Sequence, residues 1–173
     1  MKDTHHSRKN LLDLNASEIE ALGTPMGWPR YRTTQVLKWL YKKGVGHISA
    51  MTNLSKDDRD RLQSVETILR LACSVPEMAG DGTGKFLGRL DDGLAVETVI
   101  IPEGHRRTVC VSSQVGCTLD CGFCLTAQIG FRRNLSPREI VEQVWYARKS
   151  LLPGETITSL VFMGMGETLL NFD

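Results

Sequence analysis

Thr108-Val-Cys110-Val-Ser-Ser-Gln-Val-Gly-Cys117-Thr-Leu-Asp-Cys121-Gly-Phe-Cys124 is the stretch on which the fold of this chain turns. Thr108 to Ser112 reads as a short strand, and Gly116 to Phe131 as a loop rich in Gly and Cys. Ser136-Pro137-Arg138-Glu139 then starts a helix, with Pro at its first position and Glu three residues after Ser. Ile140, Val141, Val144, Trp145 and Leu151 follow on one side, and Pro153-Gly154 ends the helix. Ser159 to Met163 is a second apolar strand, leading into Gly164-Met165-Gly166-Glu167. Strand, loop, helix and strand in this order form the building block of a parallel α/β fold, and one such unit cannot close a barrel.

Upstream the texture differs. Lys85 to Leu90 and Leu94 to Ile101 read as strands joined through Asp91-Asp92-Gly93, a β-hairpin. The first 70 or so residues read as short helices. Ser17-Glu18-Ile19-Glu20 has the spacing of a capping box, with Ile19 and Leu22 as apolar follow-up. Val36, Leu37, Leu40 and Tyr41 fall at helical spacing before Gly44, where a helix would stop. Ser55 opens a third helix expected to run through Leu62, Val65 and Leu69. The expected organisation is a small helical domain over 1–75, a hairpin connector over 76–107, and the α/β unit over 108–173.

Composition sets limits on this picture. The 173 residues are 41% hydrophobic and 24% charged, enough apolar material for a core, and the net charge of +1 neither demands nor forbids a nucleic-acid partner. No apolar run approaches the roughly 18–20 residues that span a bilayer, and Met1 to Asn10 lacks the apolar stretch of a secretory signal. A cytoplasmic protein without a membrane partner is expected. Of five cysteines, Cys117, Cys121 and Cys124 crowd into one short loop, which points to a metal site rather than a disulfide framework.

Three thiolates at CxxxCxxC spacing suit an iron–sulfur cubane that keeps one iron free of protein ligands, where a small molecule can bind. Gly116 and Gly122 let the backbone fold closely around a bulky cluster. The alternative is structural zinc, which normally takes four ligands in two separated pairs; only His105 and Cys110 are nearby candidates.

CxxxCxxC after the first strand of an α/β unit resembles the radical S-adenosylmethionine superfamily. Cys110-Val-Ser-Ser-Gln-Val-Gly-Cys117, Thr126-Ala-Gln-Ile-Gly-Phe131, Arg133-Asn134-Leu135 and Met163-Gly-Met-Gly-Glu-Thr-Leu-Leu-Asn171 are similar to the RNA adenine C2-methyltransferases of the RlmN/Cfr type. The likeness extends upstream through Gly84-Lys85-Phe86 and Glu97-Thr98-Val99. Residues 108–173 would then begin an incomplete radical-SAM (β/α) partial barrel.

The resemblance implies that Cys117, Cys121 and Cys124 ligate a [4Fe–4S] cluster whose fourth iron takes S-adenosylmethionine. It implies that Gly166 and Glu167 contact the methionine portion of that nucleotide, although Gly-x-Gly-Glu alone also reads as a plain turn. Cys110 would supply a thiol that resolves a covalent protein–RNA intermediate through a transient disulfide; without the resemblance a buried cysteine reads as a small hydrophobe. Glu97 would be the proton acceptor. By its own pattern it shares a strand face with Val99 and Ile101, or else stands in water on an edge strand. Cys73 reads as packing.

The implied partners are ribosomal and transfer RNA and a flavodoxin-type electron donor. Arg30-Tyr31-Arg32, Lys38, Lys42 and Lys43, with Arg106-Arg107 and Arg132-Arg133, supply positive charge, which can equally be a solvated face. Thr168 stands where the family usually has Pro. The methyl-carrying cysteine lies near the family's C-terminus, so the chain reads as a truncated N-terminal portion, expected not to turn over alone. Two rivals stand beside the C2 reading: a C8-adenine methyltransferase of the same family, and a non-catalytic, metal-stabilised RNA-binding module. The Leu169-Leu170-Asn171 run favours C2.

Overall fold

The computed structural model describes residues 9–68 and 70–172. Two compact units divide the chain, one running to Arg70 and one from Leu71.

In the first unit, β1 (Lys9–Asn10) precedes α1 (Ala16–Gly23), α2 (Tyr31–Leu37), α3 (Lys56–Val65) and β2 (Glu66–Thr67), and β1 pairs with β2 in parallel. The start of α1 corrects the expected capping box. Asn15, not Ser17, is the N-cap: its Oδ1 accepts from Glu18 N at 3.0 Å, and Glu18 Oε2 accepts from Asn15 N at 2.7 Å. Two boxes overlap by two residues here, and the earlier one extends the helix while still burying Ile19. Helix α2 continues as a π-helical turn over Lys38–Lys43 and stops at Gly44 with φ +62°, as expected of a left-handed C-cap. Leu11, Ile19, Val36, Leu40, Met51 and Leu62 belong to the core. Helix α3 ends at Val65, which is exposed, and not at the expected Leu69: Glu66 and Thr67 leave the helix to pair with β1, Leu62 is the helix's buried residue, and Leu69 itself lies outside the described residues.

The second unit holds β3 (Ala72–Cys73), β4 (Glu77–Met78), β5 (Gly84–Arg89), β6 (Ala95–Glu103), β7 (Arg106–Cys110), β8 (Gln114–Val115), α4 (Leu125–Ile129), β9 (Arg133–Asn134), α5 (Pro137–Ser150) and β10 (Ser159–Val161). Its main sheet has the order β10-β7-β6-β5-β3, with β4 also beside β5. The expected hairpin is present as β5 and β6, and Gly93 at φ +83° makes its turn. Strand β6 pairs with β7 from Val99↔Cys110 to Glu103↔Arg106, so the hairpin and the strand–helix–strand unit share one sheet. Among the described residues of this sheet only β7 and β10 are parallel, and α5 is the crossover between them. The fold is mixed α/β rather than a purely parallel arrangement.

Helix α5 begins as read: Ser136 Oγ accepts from Glu139 N, Glu139 Oε2 accepts from Ser136 N, and Pro137 is the first residue. Its inward face differs from the apolar stripe. Arg138, Glu139, Glu142, Gln143 and Ala147 are the buried residues, whereas Val141 is exposed. Ile140 and Val144 pack at the margin, against a core that includes Phe86, Ile100 and Val109. Polar side chains take the centre because each finds a hydrogen-bonding partner there. No helix among the described residues is long and apolar enough to cross a membrane.

Candidate active site

Side chains alternate across a strand, so the register of the sheet fixes which residues meet. Lys85, Val99, Cys110 and Val161 lie in one cross-strand row, and Glu97 stands two positions along β6 from Val99. This row lies on the face opposite Phe86, Ile100 and Val109, which face α5. Glu97 and Cys110, separated in sequence, are therefore brought to the same face.

Glu97 is half exposed, and Lys85 Nζ lies 3.1 Å from its Oε1. A hydrogen bond to Glu97 and its charge hold the Lys85 ammonium above the usual lysine range. The apolar surroundings expected for Glu97 are thus shared with a cation. Cys110 ends β7 and is buried; burial pushes its thiol up, opposed by the Met163 backbone.

Past Cys110 the chain enters the cysteine loop. Gly116, at φ +74°, comes so close to the returning chain after α4 that an added Cβ would sit 1.8 Å from the Gly130 carbonyl oxygen. Arg132 N donates to Val115 O at 2.9 Å, which closes the base of the loop. Cys117, Cys121 and Cys124 are free thiols, each half-buried. Leu119 N donates to Cys117 Sγ at 3.4 Å, and Cys124 N donates to Cys121 O at 2.9 Å. Backbone N–H groups of Ala127 and Thr126 hold the Cys124 thiol below the usual cysteine range. Among the described residues, no group of three or more His, Cys, Asp or Glu side chains stands at metal-holding geometry. The loop gathers the three sulfurs on one short segment without drawing them to one point. The donor set, three unbridged thiols on a loop anchored at its base, nevertheless fits a thiolate-ligated cluster better than a hard cation. His105, the other zinc candidate, sits in the turn before β7, at the opposite end of that strand from the loop.

Gly164 to Glu167 docks on the segment joining Cys110 to Cys117. Met165 N donates to Ser112 Oγ at 3.0 Å, Ser113 N donates to Met165 O at 2.8 Å, and Glu167 N donates to Gln114 Oε1 at 3.0 Å. Gly166 has φ +97°, and a Cβ there would lie 2.5 Å from Gln114 Cβ. Glu167 Oε1 accepts from Leu169 N at 3.1 Å. Gly166 and Glu167 are thereby held beside the start of the cysteine loop.

The sequence reading gave no role to Lys85, Ser112, Gln114, Gln143 or Asn171. Asn171 Nδ2 donates to Ser113 O at 2.8 Å and to Leu135 O at 3.0 Å, fixing the end of the docked loop. The available signal was Ser112-Ser113-Gln114 directly behind a β-branched strand: uncharged polar residues that all prove buried.

Residues 9–68 match the family model described as the ribosomal RNA large subunit methyltransferase N-terminal domain. A dual-specificity RNA methyltransferase RlmN from Marinobacter nauticus is 46% identical over 168 residues, covering 95% of this chain and 46% of the relative. The one from Saccharophagus degradans is 48% identical over 172 residues, with 96% and 43% covered. Nearly the whole of this chain is therefore similar to part of an RlmN protein. A crystal structure of a radical SAM methyltransferase from Sphaerobacter thermophilus superposes on this chain with a TM-score of 0.78 at 37% identity, covering 95% of this chain and 49% of that one. The chain therefore spans a little under half the length of the RlmN relatives it matches.

Proposed function

We propose that this RlmN-type chain carries the cofactor-binding part of a radical S-adenosylmethionine methyltransferase that methylates C2 of adenine in 23S ribosomal RNA and transfer RNA. The observation that carries the reading is the docking of Gly164 to Glu167 onto the backbone between Cys110 and the CxxxCxxC loop. That contact sets a strand-end loop able to bind a nucleotide beside thiols able to hold a cluster.

Cys117, Cys121 and Cys124 would ligate a [4Fe–4S] cluster, leaving one iron for the amino and carboxylate groups of S-adenosylmethionine. Cluster and nucleotide, when bound, supply the one-electron reduction of the sulfonium and the methyl group. Gly166 would let the backbone approach the methionine portion, and the Glu167 carboxylate would accept hydrogen bonds from the N–H groups of its amine. Glu97, on the face it shares with Cys110, would accept the proton that leaves adenine C2 once the new carbon is bonded there. Cys110 would attack the sulfur of a covalent protein–RNA intermediate, forming a transient disulfide as the bond from that sulfur to the RNA-borne carbon breaks and its electron pair passes to the adenine; burial raises the Cys110 thiol, so the attack needs a base at that moment. Residues 108–173 are read as the opening of a partial barrel, with the hairpin connector over 76–107 leading into it. The target adenine has to leave its stack to reach a site lined by the sheet. Basic side chains contact RNA phosphates, and a flavodoxin-type protein delivers the electron in the cytoplasm.

Anaerobic reconstitution with iron and sulfide tests the reading. The expected product is a brown chain with an iron–sulfur absorption band, lost in Cys117→Ala, Cys121→Ala and Cys124→Ala. Colourless protein, with zinc or no metal bound, would overturn it.

A further inference from the structure

Where β7 and β10 end their ladder, the Ser112 backbone loses its neighbouring strand. Val111 N still donates to Val161 O at 2.9 Å, and Gly164 N donates to Val111 O at 3.1 Å. One residue on, a side chain replaces the strand. Gln143 of α5 accepts from Ser112 N on Oε1 at 2.9 Å and donates from Nε2 to Ser112 O at 3.0 Å. The same Oε1 accepts from Thr98 Oγ1 at 2.8 Å, and Nε2 also donates to Glu139 O at 3.2 Å. All four hydrogen-bonding positions of the amide are filled, and a flipped amide would set NH2 against an N–H. The Ser112 hydroxyl completes the link. It donates to Glu97 O at 2.7 Å and accepts from Met165 N at 3.0 Å. Ser112, Gln143 and Thr98 are all fully buried, at 0% exposure. One buried pair thus joins the strand of Glu97, the segment between Cys110 and Cys117, and the loop of Gly166 and Glu167.

We propose that Ser112 and Gln143 are positioning residues, a clamp that fixes the Gly164–Glu167 loop against β6 and so sets where the methionine end of S-adenosylmethionine binds. The inference rests on the function proposed above. Neither residue touches the ligand; each acts through Met165 and the Ser112 backbone. A fully satisfied buried network has one low-energy arrangement, whereas removing one member strands its partners without water. The loop then samples other positions.

The test has two arms on the full 173-residue chain. In the metal-free protein, amide hydrogen exchange of Met165 and Glu167 is followed in Ser112→Ala and Gln143→Leu, with Phe86→Leu as a core variant of the same unit that leaves the clamp whole. Each variant is measured equally far below its own Tm. Exchange in both clamp variants is expected to be about tenfold faster than in wild type or Phe86→Leu. In the reconstituted protein, S-adenosylmethionine binding is expected to weaken by about tenfold in the clamp variants while iron content is unchanged, because the three cysteines are untouched. Wild-type exchange at Met165 in folded Ser112→Ala overturns the clamp, and so does wild-type nucleotide affinity. Should Gln143→Leu not fold, the smaller Ser112→Ala change carries both arms. A wild-type chain that takes up no iron overturns the proposed function instead, and the exchange arm alone then decides the clamp.

Discussion

At the scale of single residues, the site depends on close approaches that a single carbon would forbid. Gly116 combines a left-handed φ with a virtual Cβ 1.8 Å from the Gly130 carbonyl oxygen. Alanine there meets both a backbone penalty of about 1 kcal/mol and a collision that backbone must move to relieve. Gly116→Ala is expected to lower Tm and reduce iron uptake in anaerobic reconstitution; a variant with wild-type Tm and iron content would show that the approach is dispensable. Cys110 offers a second prediction. Burial raises its thiol above the usual cysteine range, so the reactive thiolate becomes abundant only in alkali. Peptide mapping after brief iodoacetamide treatment of folded protein should find Cys110 little modified at pH 7, with labelling rising beyond pH 9. Rapid labelling at neutral pH would contradict that burial. The Lys85–Glu97 pair marks a limit of sequence reading at this scale. Alternation told which residues share a face with Glu97 along its own strand, but the cation opposite it depends on register between strands.

At the scale of elements, helix α5 was legible at its start and misread on its face. Ser136, Pro137 and Glu139 act locally, so spacing alone found the cap. Replacing Ser136 by Ala removes the acceptor for Glu139 N and should cost about 1 kcal/mol, read as a lower urea midpoint with an unchanged m-value. An unchanged midpoint would mean that Glu139 alone holds the helix end. That residue has further support. Burial would raise its carboxyl, but Arg133 bonds both oxygens at 2.8 Å, and the net direction is below the usual glutamate range. The inward face was another matter. Ile140 and Val144 lie one position from Glu139 and Gln143, about 100° around the helix, so either stripe fits helical periodicity. What turned Gln143 inward was the end of the β7–β10 ladder, where the Ser112 backbone needed partners, while Arg138, Glu139 and Glu142 meet Asp91, Arg133 and the Leu71 N–H; no local pattern carries that information.

At the scale of the molecule, Cys73 touches both apolar clusters of the second unit, and burial, with Glu142 nearby, pushes its thiol up to about 12. The sign follows from linkage. Between the ordinary cysteine value of 9.0 and about 12 the unfolded chain has lost this proton while the folded chain keeps it, so rising pH favours unfolding. The stability tied to the neutral thiol is fully present below pH 9 and is lost as pH climbs toward 12. Tm is therefore expected to fall between pH 8.5 and pH 11, and to fall less steeply in Cys73→Ala, as scanning calorimetry at matched ionic strength would show; parallel curves would assign the alkaline loss to other groups.

The sequence by itself determined whatever depends on neighbours along the chain. The cap of α5, the stop at Gly44, the turn at Gly93 and the cysteine spacing all act within a few residues, where bond geometry and propensity suffice. The resemblance to the RlmN/Cfr type, carried by contiguous motifs, was legible for the same reason. Tertiary structure alone decided what depends on residues far apart in the chain. It set Lys85 against Glu97, packed Gly166 onto Gln114, and aimed Gln143 at Ser112. Those contacts are fixed by strand register and by the demand of buried polar groups for partners, and both exist only once the sheet and its covering helix have come together.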